Sequence, residues 1–488
     1  MSPDLLEHVH PDVRLRRTAL PDRENARFLW EEAARHLSPV DIPEYEEFAA
    51  RECMNERELG YWLPAGAARE KLREQIERNR RALETANLGL SLGRFQFPEP
   101  RGGEHFAEDT ALADFCRSLA RTRDFKARLH ASCGEFAQAA RELASALRTA
   151  ELALDGDSII LTYLQGIPCQ WKALDCMRRL ARLPLMPAAA IADMLTSLER
   201  DWQGAKALSQ STRYEFRYYF LEQLAPLSAC ESLEALVDGL LKSFYSDAPM
   251  LCFDEESRGP HPDGRSAWRR QRLLDLLSGH PSPFLAESTV SESSRALAEI
   301  VRRADEPWRP GRKQSEENKL LPEDSWPTQL RIGFPYDMLG PGPEARRTVE
   351  ELSESTPEFA RYWRVPDEAA LAAAREKLQQ LDNPVGRLLA DSAIGTLPSC
   401  VDMLFRNRAL REATKAVLAV RLYQIQRGRL PDDMHSLVTA GVLAAVPADP
   451  FADAPLGYSR ERAEIWSVGP KNDAAVWMGK MTWSVSPI

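Results

Sequence analysis

A mainly α-helical chain, an irregular helical array carrying a small α+β module at its C-terminus, is the fold class the sequence predicts. Three observations predict it. Residues 108–246 place apolar side chains at helical spacing in run after run. Residues 247–345 break that pattern, holding 12 of the 34 prolines. From Cys400 onward, one long helical pattern gives way to proline-set turns and short strand-like segments.

The elements follow in order. Residues 1–21 read as an extended arm. Asp22, after Pro21, suits an N-cap, and Glu24 to Leu37 sets Phe28, Leu29, Ala33 and Leu37 on one face. Helices are predicted at Glu44–Glu56 and Ala67–Asn87, and an extended connection at Gly93–Pro98. An αα-hairpin comes next, with Phe136, Ala140, Leu143, Leu147, Ala150 and Leu154 on its first helix. Asp155-Gly156-Asp157 breaks it, Gly156 suiting a left-handed C-cap and Asp157 a new N-cap. Ile160, Leu164, Trp171, Leu174, Met177 and Leu180 mark the second helix, which Pro168 should kink. Pro187 opens a further helix toward Trp202, and the aromatic cluster Tyr214 to Phe220 reads as packing. Short helices are expected near 266–278 and 291–304, and another at Asp367–Leu381. No residue pattern recurs at a fixed repeat period, so a solenoid of repeats is not predicted.

At the C-terminus, residues 401–427 read as an amphipathic helix with Phe405, Ala409, Ala413, Ala416, Val420 and Tyr423 along one stripe. Gly428 stops it, and a short helix is expected at Met434–Ala440. Strands are expected at Leu456–Ser459, Glu464–Val468 and Met481–Val485. The predicted organisation is therefore a helical body at 1–246, a proline-rich excursion at 247–345, a helical connection at 346–399 and an α+β domain at 400–488.

Composition excludes several classes. With 44% hydrophobic and 28% charged residues, the 488-residue chain can build packed cores and is neither disordered nor collagen-like. The net charge of −10 leaves no electrostatic footprint for nucleic acid. Local basic clusters, such as Arg14/Arg16/Arg17 and Arg269/Arg270/Arg272, read as solvated helix faces. No apolar run reaches the roughly 20 residues of a membrane span, and Met1–Leu20 lacks the apolar core of a signal peptide. The eight cysteines form no CxxC pair and no zinc-ligand spacing. Cys169 and Cys176 share one helix face, too far apart for a disulfide, and read as small core residues.

The run Gly428-Arg429-Leu430-Pro431, Pro447, Asp449-Pro450-Phe451, Tyr458 and Ile465-Trp466-Ser467-Val468-Gly469 resembles the globular part of the type II secretion major pseudopilins. The resemblance covers roughly residues 415–473. It implies a long helix, a G-x-x-P turn, a P-x-D-P-[WF] loop and a small antiparallel sheet. The segments Asn383–Leu389 and Glu24–Trp30 are similar to parts of large bacterial envelope proteins carrying such a tail. The resemblance also implies a calcium site after the W-S-x-G strand. Here that loop is Gly469-Pro470-Lys471-Asn472-Asp473, with Asp473 as its one carboxylate and an ordinary solvent-facing turn as the alternative. Unlike a pilin helix, the helix at 401–427 carries Arg406, Arg408, Arg411, Glu412, Lys415 and Arg421, so it suits neither a membrane nor a pilus core.

No H-E-x-x-H, G-x-S-x-G, P-loop or Rossmann motif occurs. The histidines His8, His10, His36, His105, His130, His261, His280 and His435 are scattered, and no catalytic or cofactor-binding residue is assigned. The expected function is a non-enzymatic scaffold or interaction protein of the bacterial cell envelope, meeting a protein partner or its own copy; a cytoplasmic location is the alternative. Two further readings stay open. One is a hydrolase with a site between helical body and excursion, the other a secretion accessory that docks onto pseudopilins. Titratable groups converging in a deep cleft would favour the enzyme.

Overall fold

The computed structural model describes residues 3–40, 63–98, 105–157, 159–200, 202, 204–245, 264–308, 376, 379–394, 397–452, 454–469 and 481–486. The chain is mainly helical with a small sheet region near its C-terminus. Its helices are α1 (Pro3–Glu7), α2 (Arg27–Ala34), α3 (Gly66–Arg78), α4 (Arg80–Leu92), α5 (His105–Ser132), α6 (Phe136–Leu154), α7 (Ile160–Ala181), α8 (Ala188–Leu198) and α9 (Gly204–Glu215). A π-helical turn at Phe216–Phe220 follows, then α10 (Leu221–Ser228), α11 (Leu233–Tyr245), α12 (Gly264–Leu277), α13 (Ala286–Asp305), α14 (Pro384–Ile394), α15 (Leu397–Arg427) and α16 (His435–Thr439). The strands are β1 (Ala448–Asp449), β2 (Ala454–Pro455), β3 (Gly457–Ser459), β4 (Glu464–Ser467) and β5 (Met481–Ser484).

Contacts divide the chain into two compact units. One comprises Met1–Arg14, Phe216–Glu299 and Lys313–Leu397; the other comprises Leu15–Glu215, Ile300–Arg312 and Pro398–Ile488. This division runs across the four segments read from the sequence, because the C-terminal module shares a unit with most of the helical body. In the first unit, Asn383 holds a positive φ of 55°. Its side chain accepts from Leu285 N at 2.7 Å and donates to Thr289 Oγ1 at 2.9 Å, fixing the start of α14 beside α13.

In the second unit, α5, α6 and α7 pack mutually and α8 lies on α6. One core joins Leu143, Leu147, Met177 and Met194 to Val417, Val420, Leu437 and Ile465. A second core surrounds Trp30 with Leu72, Leu83, Phe95, Phe97 and Leu119. Helix α15 is not amphipathic at its centre: Ala416, Val417, Leu418, Ala419 and Val420 are all fully buried, so successive residues face protein on every side. Two of its charges, Arg411 and Arg421, are buried with it. Arg411 meets Glu151 at 2.6 Å and donates to Leu198 O and Arg200 O. Arg178 donates to Thr414 Oγ1 at 2.7 Å, and Arg421 Nε to Ala181 O at 3.1 Å.

Three local expectations are corrected. The helix read as Ala67–Asn87 splits into α3 and α4 at Asn79, whose buried amide accepts from Ser38 N at 2.7 Å and donates to Ser38 O at 2.9 Å. In the hairpin break, the left-handed residue is Asp157 at φ 55°, not Gly156. Gly156 is needed for space, since a Cβ there would stand 2.6 Å from Phe95 Cδ1. The helix after Pro187 ends at Leu198, short of Trp202. The expected helix at Glu44–Glu56 lies outside the described residues, as do most of Asp367–Leu381, the excursion residues 247–263 and 309–345, and Asp473.

The C-terminal sheet has the order β3-β4-β5, all antiparallel, with Tyr458 opposite Ile465 and Ile465 opposite Trp483. Buried Asp449 closes the module. Its Oδ1 accepts from Phe451 N at 3.0 Å and from Ser467 Oγ at 2.8 Å, and its Oδ2 from Val468 N at 2.8 Å. The D-P-F loop and the W-S-V-G strand are thus two sides of one hydrogen-bonded clasp. Gly457 lies so close to Trp466 that any side chain at that position would strike the indole.

Candidate functional site: a cationic cavity between three helices

Helices α5, α6 and α7 enclose a cavity of about 570 Å³. Helical spacing explains its lining. On α5, Arg117, Ala120, Arg121, Asp124, Phe125 and Arg128 recur at three- and four-residue steps and so share one face. On α7, Leu164, Gln165, Pro168, Cys169, Lys172 and Ala173 do the same. Ala146 is the contribution of α6. Small residues (Ala120, Ala146 and Ala173) stand where three helices meet, and space remains between them. Pro168 sits inside α7 as expected and lines the opening.

The charge distribution is lopsided. Among the described lining residues, four are cations and one, Asp124, is a carboxylate. Arg121 lies 5.7 Å, Arg128 5.8 Å and Lys172 5.7 Å from the centroid of the buried Phe125 ring. Three cations therefore stand around one aromatic ring, whose quadrupole attracts cations to its faces. Arg117 is exposed and pairs with Asp114 at 3.0 Å. Arg121 and Lys172 are half-buried, and Arg128 is buried. The positive charge thus runs from solvent into the interior.

Asp124 anchors this set from below. Its side chain is only 2% exposed and meets Arg128 Nη2 at 3.1 Å and Lys172 Nζ at 3.7 Å. The Cys176 thiol donates to Asp124 Oδ1 at 2.7 Å. Burial alone would push the Asp124 carboxyl up, but the charges of Arg128 and Lys172, with the donated thiol, hold it below its usual range. It is a fixed anion. Burial, and then the neighbouring Asp124 charge, push the Cys176 thiol well up. Burial also pushes Cys169 up to about 11, against the opposing pull of Arg117 and Lys172. Both thiols are protonated at neutral pH and lack the thiolate character of a nucleophile.

In the wall, Gln165 Oε1 is buried and accepts no hydrogen bond among the described residues. On the outer face of α5, buried Arg123 meets Glu142 at 3.2 Å and Asn87 Oδ1 at 2.7 Å, which tethers the cavity's main wall to α6 and α4.

The residues singled out from sequence fall elsewhere. His8 faces Glu287 at 3.6 Å and His10 faces Asp12 at 3.7 Å, so the two histidines of the arm point to different carboxylates. His36 pairs with Glu32, His130 with Glu135, and His280 with the Leu381 carbonyl. His261 lies outside the described residues. Among the described residues, no three of His, Cys, Asp and Glu group in a metal-binding arrangement, and no helix is long and apolar enough to cross a membrane. All six described cysteines are free. Cys169 and Cys176 do share a face of α7, but Cys176 is a hydrogen-bond donor to a buried carboxylate as well as a core residue. The reading of the residues missed the cavity. The signal was present as Arg117, Arg121, Asp124, Phe125 and Arg128 at helical steps, a cationic stripe with an aromatic residue inside it.

Comparison with known protein families, with curated proteins and with solved structures found no match.

Proposed function

We propose that the chain is a binding protein whose cavity between α5, α6 and α7 holds a small anionic molecule with an apolar body. The observation that carries this reading is the convergence of Arg121, Arg128 and Lys172 on the Phe125 ring beside buried Asp124. A cleft that gathers cations beside an apolar wall suits an anionic head on an apolar body. The volume falls within the range of about 300–1,000 Å³ typical of ligand pockets.

Clustered titratable groups are also what an enzyme would offer. Their protonation states argue otherwise. Acid–base chemistry wants a group poised near the working pH, whereas Asp124 is held ionised and both thiols are held protonated. Binding explains the arrangement without asking these groups to titrate.

The test uses anilinonaphthalene sulfonate, an anion on an apolar body. It is expected to bind the full chain at one saturable site, and Ala146→Phe, which fills the cavity, is expected to abolish the fluorescence gain while leaving helicity intact. A gain unchanged in Ala146→Phe would refute the reading.

The C-terminal module supports a second, compatible proposal. Its long helix, the turn at Gly428, the Asp449 loop and the three-stranded antiparallel sheet follow in the order the resemblance to pseudopilins implies. On that reading residues 400–488 have a pseudopilin-like fold, and the protein works at the bacterial cell envelope with a protein partner. An experimental structure of the chain, superposed on a pseudopilin globular domain, tests it.

A further inference from the structure

Resting on the binding reading, we infer that residues 160–167, the first two turns of α7, are the gate of the cavity: they move away to admit its occupant and close over it. Three observations point to this segment. The first concerns the backbone. Pro168 stands inside α7 and has no N–H, so the helical bond that Leu164 O would accept is missing. Gly166, two residues earlier, is the other poor helix former of α7. The helix is therefore weakest where the segment ends. The second concerns polar groups. Within four successive residues, Thr162 Oγ1, Tyr163 Oη and Gln165 Oε1 are buried and have no hydrogen-bond partner among the described residues. Thr162 and Tyr163 are 2% and 0% exposed. In the closed state these atoms have lost water without replacing it, and opening returns it, which offsets part of the apolar contact that opening breaks. The third is position. Leu164 and Gln165 line the cavity and Pro168 lines its opening, so movement of this segment changes the mouth.

A latch holds the gate at its start. Glu215 Oε2, on α9, accepts from Ile160 N at 2.8 Å. The first N–H groups of a helix have no helical acceptor, so this carboxyl supplies one and ties the first turn of α7 to α9. Beyond Pro168 the helix is held differently. Leu174, Met177, Leu180 and Ala181 belong to the main core, and Arg178 donates to Thr414 Oγ1 at 2.7 Å. That half stays in place while the first two turns open.

The experiment is residue-resolved hydrogen exchange of the full chain, paired with stopped-flow binding of anilinonaphthalene sulfonate. Corrected for intrinsic rates, the amides of residues 164–167 are expected to exchange at least about tenfold faster than those of residues 174–181. Tyr163→Phe removes an unpartnered hydroxyl at a position outside the described cavity lining. It should slow exchange at residues 164–167 at least about fivefold, whereas Glu215→Leu, which removes the latch, should speed it. In Tyr163→Phe the association and dissociation rates of the dye should fall by a similar factor, with the equilibrium affinity kept. Equal exchange in the two halves of α7, or exchange at residues 164–167 that neither variant moves, would overturn the gate. Exchange that moves while the rates of the dye do not would overturn it too, since the opening would not be the route of entry. Dye binding that Ala146→Phe does not change is a different failure, that of the binding reading itself.

Discussion

The Cys176 thiol donates a hydrogen bond to Asp124 Oδ1 across 2.7 Å, tying α7 to α5 beneath the cationic cavity. The bond does two things. It satisfies one lone pair of a carboxylate that has left water, and it holds that carboxylate where it faces Arg128 and Lys172. The charge pattern of the cavity depends on this one buried anion.

Asp124→Asn is therefore expected to destabilise the protein by about 3–5 kcal/mol, because it breaks the buried ion pair of Asp124 with Arg128. Cys176→Ala is expected to cost less, about 1–3 kcal/mol, since it orphans only one acceptor site. Urea denaturation of the two variants beside the parent chain gives both values.

The same carboxylate makes stability depend on acid. Its folded pKa lies below its unfolded value of about 3.9, so the unfolded state binds the proton first. The contribution is complete above about pH 4 and is lost as pH falls through the folded value. Denaturation midpoints followed from pH 6 downward should fall more steeply for the parent chain than for Asp124→Asn. Parallel curves would show that Asp124 is not the group responsible.

Arg411 and Glu151 form a second buried pair, linking the long C-terminal helix to the helical body at 2.6 Å. Glu151→Gln should cost about 3–5 kcal/mol, as removal of one partner leaves the other charge buried. The double replacement Glu151→Leu/Arg411→Met should recover part of that loss. It will not recover all, because Arg411 also donates to the carbonyls of Leu198 and Arg200.

Gly156→Ala tests the hairpin break. The added methyl would sit 2.6 Å from Phe95 Cδ1, within the packed edge-on pair of Phe95 and Phe97. A cost of about 1–3 kcal/mol is expected from overpacking. A thermal melt within 1 °C of the parent, or about that, would contradict it.

Much of the fold was legible in the residues. The stripe Phe136 to Leu154 repeats locally, and so does Ile160 to Leu180; local periodicity is enough to read a helix, and both helices stand as expected. The turn at Gly428 and the strand pair around Arg460–Arg462 were legible for the same reason. What stayed hidden depends on partners far along the chain. Arg411 and Arg421 read as charges unsuited to a membrane or a pilus core, and what lets them be buried in this protein, Glu151 and the Ala181 carbonyl, lies 260 and 240 residues away. Asn79 looked like a helix interior until Ser38 supplied its backbone groups. The cavity was hidden in a related way. Arg117, Arg121 and Arg128 look like a solvated face until α7 brings Lys172 and Cys169 opposite them, and no spacing within α5 announces that pairing.

Cys169 provides a reporter inside the cavity. Its thiol is pushed up to about 11, so in the unliganded protein its alkylation at pH 7 should be on the order of a hundredfold slower than that of an ordinary cysteine, and should rise with pH toward that value.

The most direct test of the account follows from the same residue: the rate at which N-ethylmaleimide labels Cys169 at pH 8.5, read by mass spectrometry of its tryptic peptide, with and without saturating anilinonaphthalene sulfonate. Exposed Cys133 serves as the internal control. If the cavity is the binding site, the dye slows labelling of Cys169 by at least about tenfold and leaves Cys133 unchanged. If Cys169 is labelled at the same rate in both conditions while the dye is bound, the ligand sits elsewhere and the central claim is wrong.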